Sequence, residues 1–490
     1  MRVLSLLALL FSLWLPSPAS DDPRACFTVV AGVRATQDGS VLVAHNEDDP
    51  GNLQVNVFKV PASARRHSET GTLSADSARG RIAGGFLWLE VPGQEFADSY
   101  ASESGLVIAS NACRSREDRE DVTGGGIGYM LGRLLIERAR TAREAVKLAG
   151  ALIEQYGYSS SGRNYVIADT QEGWFFHAVR GRHWVAQRVP DGDVALISNY
   201  YRIGRVNLRD TQHFMASPGL VEYAIKRGWY HPDRDGEFDF ARAYSDPDNL
   251  RAPENVLRQW RGTVLLGNRS LRPGDPPPFS FEPRRPLRPT DLFHLLRDHY
   301  EGTDLDLTDG YRKGSPHSTG NRTICTRSTQ YSFVAHLRAN LPIEIGPLLW
   351  LSFRHPCLHA FTPWYPTIDH PAAGFAAGEA ETALASHLKP SAPPPAAGNA
   401  QWAFTAFNRV SEVVDPHYGE QFKAAAKVGR NLESFALKEL PRKEKEFAYL
   451  LGVDREVARH LITHYVHGQA YQNWFLALDL LRELRGGTGR

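Results

Sequence analysis

Cys26-Phe27-Thr28-Val29-Val30-Ala31-Gly32 is a cysteine followed by a β-branched, apolar run that reads as a strand. Downstream, Asp38-Gly39 is a strong turn signal and Val41–Ala44 a second short apolar run, so the pair reads as a hairpin with the cysteine at its mouth. Upstream, Met1-Arg2 precedes a mostly apolar run from Val3 to Leu15, and Ser17 and Ala19 fit the small-x-small rule for cleavage after Ala19. Residues 1–19 are therefore expected to be a signal peptide, followed by a short polar spacer at 20–25, placing the chain outside the cytoplasm, in the periplasm or secreted. No later apolar stretch approaches the roughly 20 residues a membrane span needs.

This position gives Cys26 a distinctive chemistry. A cysteine that becomes residue one carries its own α-amine, whose ordinary pKa of about 7.7–8 makes it a usable base near neutral pH. The sulfur attacks a carbonyl while the amine handles the proton, and no distant histidine is needed.

An ordered set of blocks narrows the reading. Cys26–Gly32, Asp38-Gly39-Ser40 and His45-Asn46-Glu47-Asp48 are followed by Gly105–Asn111, Gly181–Asp191, Ser198–Ile203, Cys325–Gln330 and Leu348–Pro363. In this order they resemble the C69 dipeptidase family, within the N-terminal nucleophile hydrolases, over approximately Cys26 to Pro366. The resemblance implies an α+β fold, an αββα four-layer sandwich with additional C-terminal helices. It also implies removal of the residues before Cys26 by autocatalytic processing, which makes 20–25 a short propeptide, and hydrolysis of a dipeptide through a thioester on the cysteine. A short peptide is the partner it implies, with no cofactor, and a homo-oligomer is permitted. Two other readings use the same chain: an N-acyl amide hydrolase like the penicillin V acylases or bile-salt hydrolases, and an exported binding protein on an inactive hydrolase fold.

The same resemblance proposes the supporting residues. The wider cysteine group keeps an Arg-Asn-x-Asp element shortly after the nucleophile, which His45-Asn46-Glu47-Asp48 matches except at its first position. Asp48 would orient the α-amine. His45 departs from the pattern, since histidine cannot reproduce a guanidinium fork, and another arginine is needed or the pH profile differs. Asn199 is the expected oxyanion donor and Asn111 a second one; Arg327 matches a later active-site arginine. Trp184, Trp350 and Trp364 are expected to pack, and Cys357 to be structural or to line a pocket.

The remainder bounds the architecture. Hydrophobic residues make up 42% of the 490-residue chain and charged ones 23%, a folded composition. With 56 Lys+Arg against 55 Asp+Glu, there is no electrostatic case for nucleic acid or an anionic membrane. Four cysteines leave room for at most one bridge if Cys26 is free. No HExxH, CxxC or P-loop pattern is present, so no metal site is expected. Residues 26–380 read as the catalytic domain, 381–400 as a Pro/Ala-rich loop or linker, and 401–490 as a helical section packed on the catalytic body. Tyr129–Gln155 and Ala372–Leu388 read as helical, and the proline-rich middle from Leu208 to about Ser318 as loops and short helical pieces.

Overall fold

The computed structural model describes residues 26–49, 53–64, 82–267, 270–388 and 402–487. The proposed signal and propeptide, and most of the Pro/Ala-rich stretch, lie outside the described residues. The strands are β1 (Phe27–Ala31), β2 (Val41–Asp48), β3 (Asn56–Val60), β4 (Phe86–Glu90), β5 (Ser99–Ser102), β6 (Val107–Ala112), β7 (Tyr158–Ala168), β8 (Gly173–Gly181), β9 (Trp184–Arg188), β10 (Val194–Ile197), β11 (Phe214–Ala216), β12 (Ser280–Phe281), β13 (Thr329–Leu337), β14 (Pro347–Phe353) and β15 (Thr362–Trp364). They form two antiparallel sheets, in the orders β12-β10-β1-β2-β13-β14-β15 and β11-β9-β8-β7-β6-β5-β4-β3.

Helices cover both outer faces. Two of them, α1 (Met130–Arg138) and α2 (Ala142–Tyr156), lie on the second sheet. Short helices α3 (Leu220–Lys226), α4 (Pro232–Asp235), α5 (Phe240–Tyr244) and α6 (Pro247–Arg251) lead to α7 (Pro253–Leu266). The first sheet is covered by α7 and α8 (Pro289–Leu296). After α9 (Ala380–Ser386), the C-terminal helices α10 (Ala403–Val414), α11 (Tyr418–Val453) and α12 (Arg455–Gly487) pack on one another, and α11 and α12 reach β15. The result is an αββα sandwich with additional C-terminal helices, the expected fold. All five residues of β1 are buried because both faces are covered: a Cβ on Gly173 of β8 would meet Val30 at 2.4 Å, and one on Gly262 of α7 would meet Phe27 at 3.0 Å.

Several local expectations change. Tyr129–Gln155 is two helices, because Thr141 and Glu144 form a reciprocal capping box that starts α2 afresh. In Ala372–Leu388 only Ala380–Ser386 is helical; Ala372 to Gly378 is a loop whose Phe375 packs on Trp364. Strand β13 begins only at Thr329, because 323–328 form a tight loop held by Thr326 and Ser328. All four cysteines are free and buried. No described helix is long and apolar enough to cross a membrane.

Gly32, which ends the opening stretch, shows how closely β1 is held. A Cβ there would lie 2.5 Å from the carbonyl oxygen of Pro190 and 2.6 Å from that of Asp191, both backbone atoms that cannot swing away. Gly32→Ala is expected to cost about 1–3 kcal/mol through overpacking, read as a lower Tm; an unchanged Tm would refute that close approach.

Candidate active site

The register of the first sheet explains why the residues around Cys26 meet. Pairing of Phe27 with Asn46 puts Cys26 opposite Glu47, and pairing of Thr28 with Ile197 puts it opposite Asn199. Alternation along β1 and β2 then sorts the side chains by face. Thr28, His45 and Glu47 lie between the sheets, while Asn46 points the other way and donates to the carbonyls of Leu296 (3.0 Å) and Ile324 (2.8 Å).

Between the sheets the hydrogen bonds form a single chain. The Cys26 thiol donates to Glu47 Oε1 at 3.0 Å, and Glu47 Oε2 lies 2.8 Å from His45 Nε2. His45 Nδ1 lies 2.7 Å from the Thr28 hydroxyl, which donates to Asn111 Oδ1 at 2.7 Å. An amide oxygen only accepts, so the single Thr28 proton is committed to Asn111 and His45 Nδ1–H must donate to Thr28. Burial holds the His45 pKa down to about 3, keeping the ring neutral with a lone pair on Nε2. Glu47 must then carry the proton between them, and burial indeed raises its pKa to about 8. His45 is thus a neutral member of a proton-ordered chain and does not replace a guanidinium.

Two arginines bring the positive charge instead. Arg163 of β7 is buried, donates to Ser110 Oγ at 3.1 Å with its guanidinium over the Phe96 ring, and its charge bears on both Glu47 and Cys26. Arg258 of α7 approaches from the other side. It donates to the Cys26 carbonyl at 3.3 Å and to Asn199 Oδ1 at 2.9 Å.

The expected residues fall around this centre. Asn199 is fixed by Arg258 and by Asn255, whose amide oxygen accepts from the Asn199 N–H at 3.3 Å, and the Asn199 Nδ2 is buried without a hydrogen-bond partner. Asn111 is held through its Oδ1 by Thr28, and its Nδ2 is likewise buried and unpartnered. Asp48 Oδ1 accepts from Thr329 Oγ1 at 2.6 Å, its Oδ2 has no partner, and burial raises its pKa to about 7. Arg327 is set apart: its side chain is exposed, on the loop where Ser328 accepts from the backbone N–H of Asp49, and its carbonyl faces His355 Nε2 at 3.1 Å. Trp184, Trp350 and Trp364 are buried in the hydrophobic cores. Asp169 caps the start of α2 through the Ala142 N–H at 2.7 Å.

Burial pushes the Cys26 thiol well above its ordinary value, and the neighbouring carboxyl groups of Glu47, Asp49 and Asp48 push it further to whatever extent they ionise, while a backbone N–H of Asp48 opposes them. The neighbourhood of Cys26 thus holds three carboxyl groups. Cys26, His45 and Glu47 also converge closely enough to hold a metal ion, but the same atoms are already engaged in the hydrogen-bond chain.

Sequence reasoning passed over Glu47, Thr28, Arg163 and Arg258. Arg163, immediately before the mostly apolar Asn164–Ala168 end of β7, was a usable signal, because a charge in a strand buried on both faces needs a partner. Arg258 carried no such mark on an ordinary amphipathic helix.

Comparison with known proteins identifies the family. A "Probable dipeptidase" of Salmonella dublin is 27% identical over 71% of this chain and 82% of its own length. A "Probable dipeptidase" of Latilactobacillus sakei is 24% identical over 89% of this chain and 92% of its own. Penicillin V acylase from Agrobacterium tumefaciens superposes on 69% of the chain and 85% of its own at 11% identity, with a TM-score of 0.34, too low to bear on the argument. The model of Peptidase family C69 matches residues 117–429, which include Arg163, Asn199, Arg258 and Arg327 but begin after Cys26. On that match, over nearly two thirds of its length, the chain belongs to peptidase family C69, as a hydrolase of peptide or amide bonds.

Proposed function

We propose that the chain is a cysteine-dependent dipeptidase whose nucleophile is Cys26, freed by cleavage of the Ala25–Cys26 bond after export. The observation that carries this reading is the trio of buried, unpartnered polar atoms around Cys26: Asn199 Nδ2, Asn111 Nδ2 and Asp48 Oδ2. Two donors and one acceptor without partners in the neighbourhood of a thiol leave hydrogen-bonding capacity for groups that arrive later. The acceptor suits the new α-ammonium of Cys26, and the donors suit the oxyanion of a tetrahedral intermediate.

In this scheme the α-amine takes the thiol proton and the sulfur attacks the peptide carbonyl. The intermediate collapses, releasing the amine product protonated by the α-ammonium and leaving a thioester on Cys26. The amine then activates water for deacylation. Arg258 and Arg163 offset the carboxylates near the sulfur. Arg327, exposed on the loop beside Asp49, is the cation available to substrate.

The test pairs the intact mass of the purified active enzyme with a substrate panel. The expected result is a chain beginning at Cys26 that releases amine from free dipeptides. An active enzyme beginning at Ser20 would sink the nucleophile assignment, and turnover of N-acyl amino acids alone would move the substrate class to that of an N-acyl amide hydrolase.

A further inference from the structure

Away from Cys26, four side chains from four separate segments converge. His299 follows α8, His317 lies in a helical turn at Pro316–Ser318, Cys325 precedes β13 and Cys357 follows β14. All four are buried, and one ligand atom from each lies within 4.8 Å of all the others. His299 Nε2 is 3.3 Å from His317 Nε2, and His317 Nε2 is 3.6 Å from the sulfurs of both Cys325 and Cys357. We propose that these residues form a structural Cys2His2 site for a tetrahedral divalent metal, zinc by its chemistry, which the established family activity does not require.

Geometry makes the first argument. Zinc bonds of about 2.3 Å to sulfur and 2.0–2.1 Å to nitrogen, set at tetrahedral angles, separate two nitrogens by about 3.3 Å and a nitrogen from a sulfur by about 3.6 Å. The observed edges are 3.3 Å and twice 3.6 Å.

The outer contacts make the second. His299 Nδ1 lies 3.0 Å from Glu301 Oε1, and His317 Nδ1 lies 2.8 Å from Asp415 Oδ1. A carboxylate on each Nδ1–H fixes that tautomer and leaves a lone pair on each Nε2, the carboxylate–histidine arrangement common behind zinc ligands. With both rings neutral, two lone pairs face one another at 3.3 Å, a contact that a proton or a metal cation between them turns from repulsive to favourable. Charge balances as well. Zinc with two thiolates and two neutral imidazoles is formally neutral, which suits a buried site, and binding releases the two thiol protons.

Position gives the site a structural purpose. Asp415 directly follows α10, so the metal would tie the C-terminal helices to the catalytic body. It would also brace the segment from Leu296 to Ile324, whose carbonyls hold Asn46 beside Asp48.

The decisive measurement is metal content of the full-length processed enzyme purified without chelator, combined with thiol counting after denaturation without reductant. The expected result is about one zinc per chain with all four thiols free. Cobalt added to metal-stripped, reduced protein should give intense visible bands and a thiolate-to-cobalt charge-transfer absorption, lost in Cys325→Ser and Cys357→Ser. Because those variants can misfold, Asp415→Asn and Glu301→Gln provide a gentler arm, each expected to weaken zinc binding by about 10–100-fold. Cys26→Ala should keep its zinc, separating this site from the nucleophile. A chain isolated without zinc, with or without a Cys325–Cys357 disulfide, overturns the proposal. So does a cobalt spectrum unchanged in both cysteine variants.

Discussion

Cys26→Ala is expected to lower dipeptide turnover by at least about 10⁴-fold, the scale of losing a covalent nucleophile, and to leave the residues before position 26 attached. Both losses come from one atom, because the same sulfur would cleave the Ala25–Cys26 bond and then the substrate. Cys26→Ser is expected to retain weak activity, since a hydroxyl placed in the same hydrogen bond to Glu47 is a poorer nucleophile but is still served by the α-amine. Normal turnover by Cys26→Ala would end the proposal. The unprocessed alanine variant also has a defined pH response. Folding raises the Glu47 pKa from 4.5 to about 8 and the Asp48 pKa from 3.8 to about 7. The folded state therefore holds protons that the unfolded state has released, so stability is full below the unfolded values and falls as pH rises through about 7 to 8. Thermal unfolding of Cys26→Ala should show Tm declining across that range, and adding Glu47→Gln should flatten the decline. A Tm that climbs with pH there would contradict the neutral Glu47–His45 pair.

That pair also shows where sequence reasoning ends. Cys26, Asp48, Asn111 and Asn199 stood out as candidates because each sits in a short local block, and the αββα layers followed from the family that those blocks resemble. Glu47 was in view but silent: whether it or Asp48 faces the sulfur depends on which side of β2 lies between the sheets, and that is set by pairing with β1 and β13. Arg258 reaches the site from α7, a contact of long sequence separation that no local pattern encodes. The His299–His317–Cys325–Cys357 cluster was invisible for the same reason, since its ligands lack the short spacings by which metal motifs are read. The break between α1 and α2 was the opposite case. Thr141 and Glu144 mark a helix start, but apolar periodicity continued through them and concealed it.

Asn199→Asp tests the oxyanion assignment with the least disturbance to the fold. Aspartate keeps the oxygen that accepts from Arg258 Nη2 at 2.9 Å, so the buried guanidinium retains its partner, but it replaces the unpartnered Nδ2 donor with a second oxygen. A donor that stabilises developing charge becomes an acceptor that repels it. The expected fall in kcat is at least the 10²–10³-fold typical of losing one oxyanion donor, with KM changed little because the interaction matures only in the transition state. Asn199→Ala should show a similar kcat loss but a larger drop in Tm, since it also strips Arg258 of an acceptor in a fully buried position. The two variants therefore separate catalysis from packing. If Asn199→Asp keeps kcat within about threefold of the parent, a change of less than about 1 kcal/mol, Asn199 only positions Arg258, and Asn111 becomes the donor to test next.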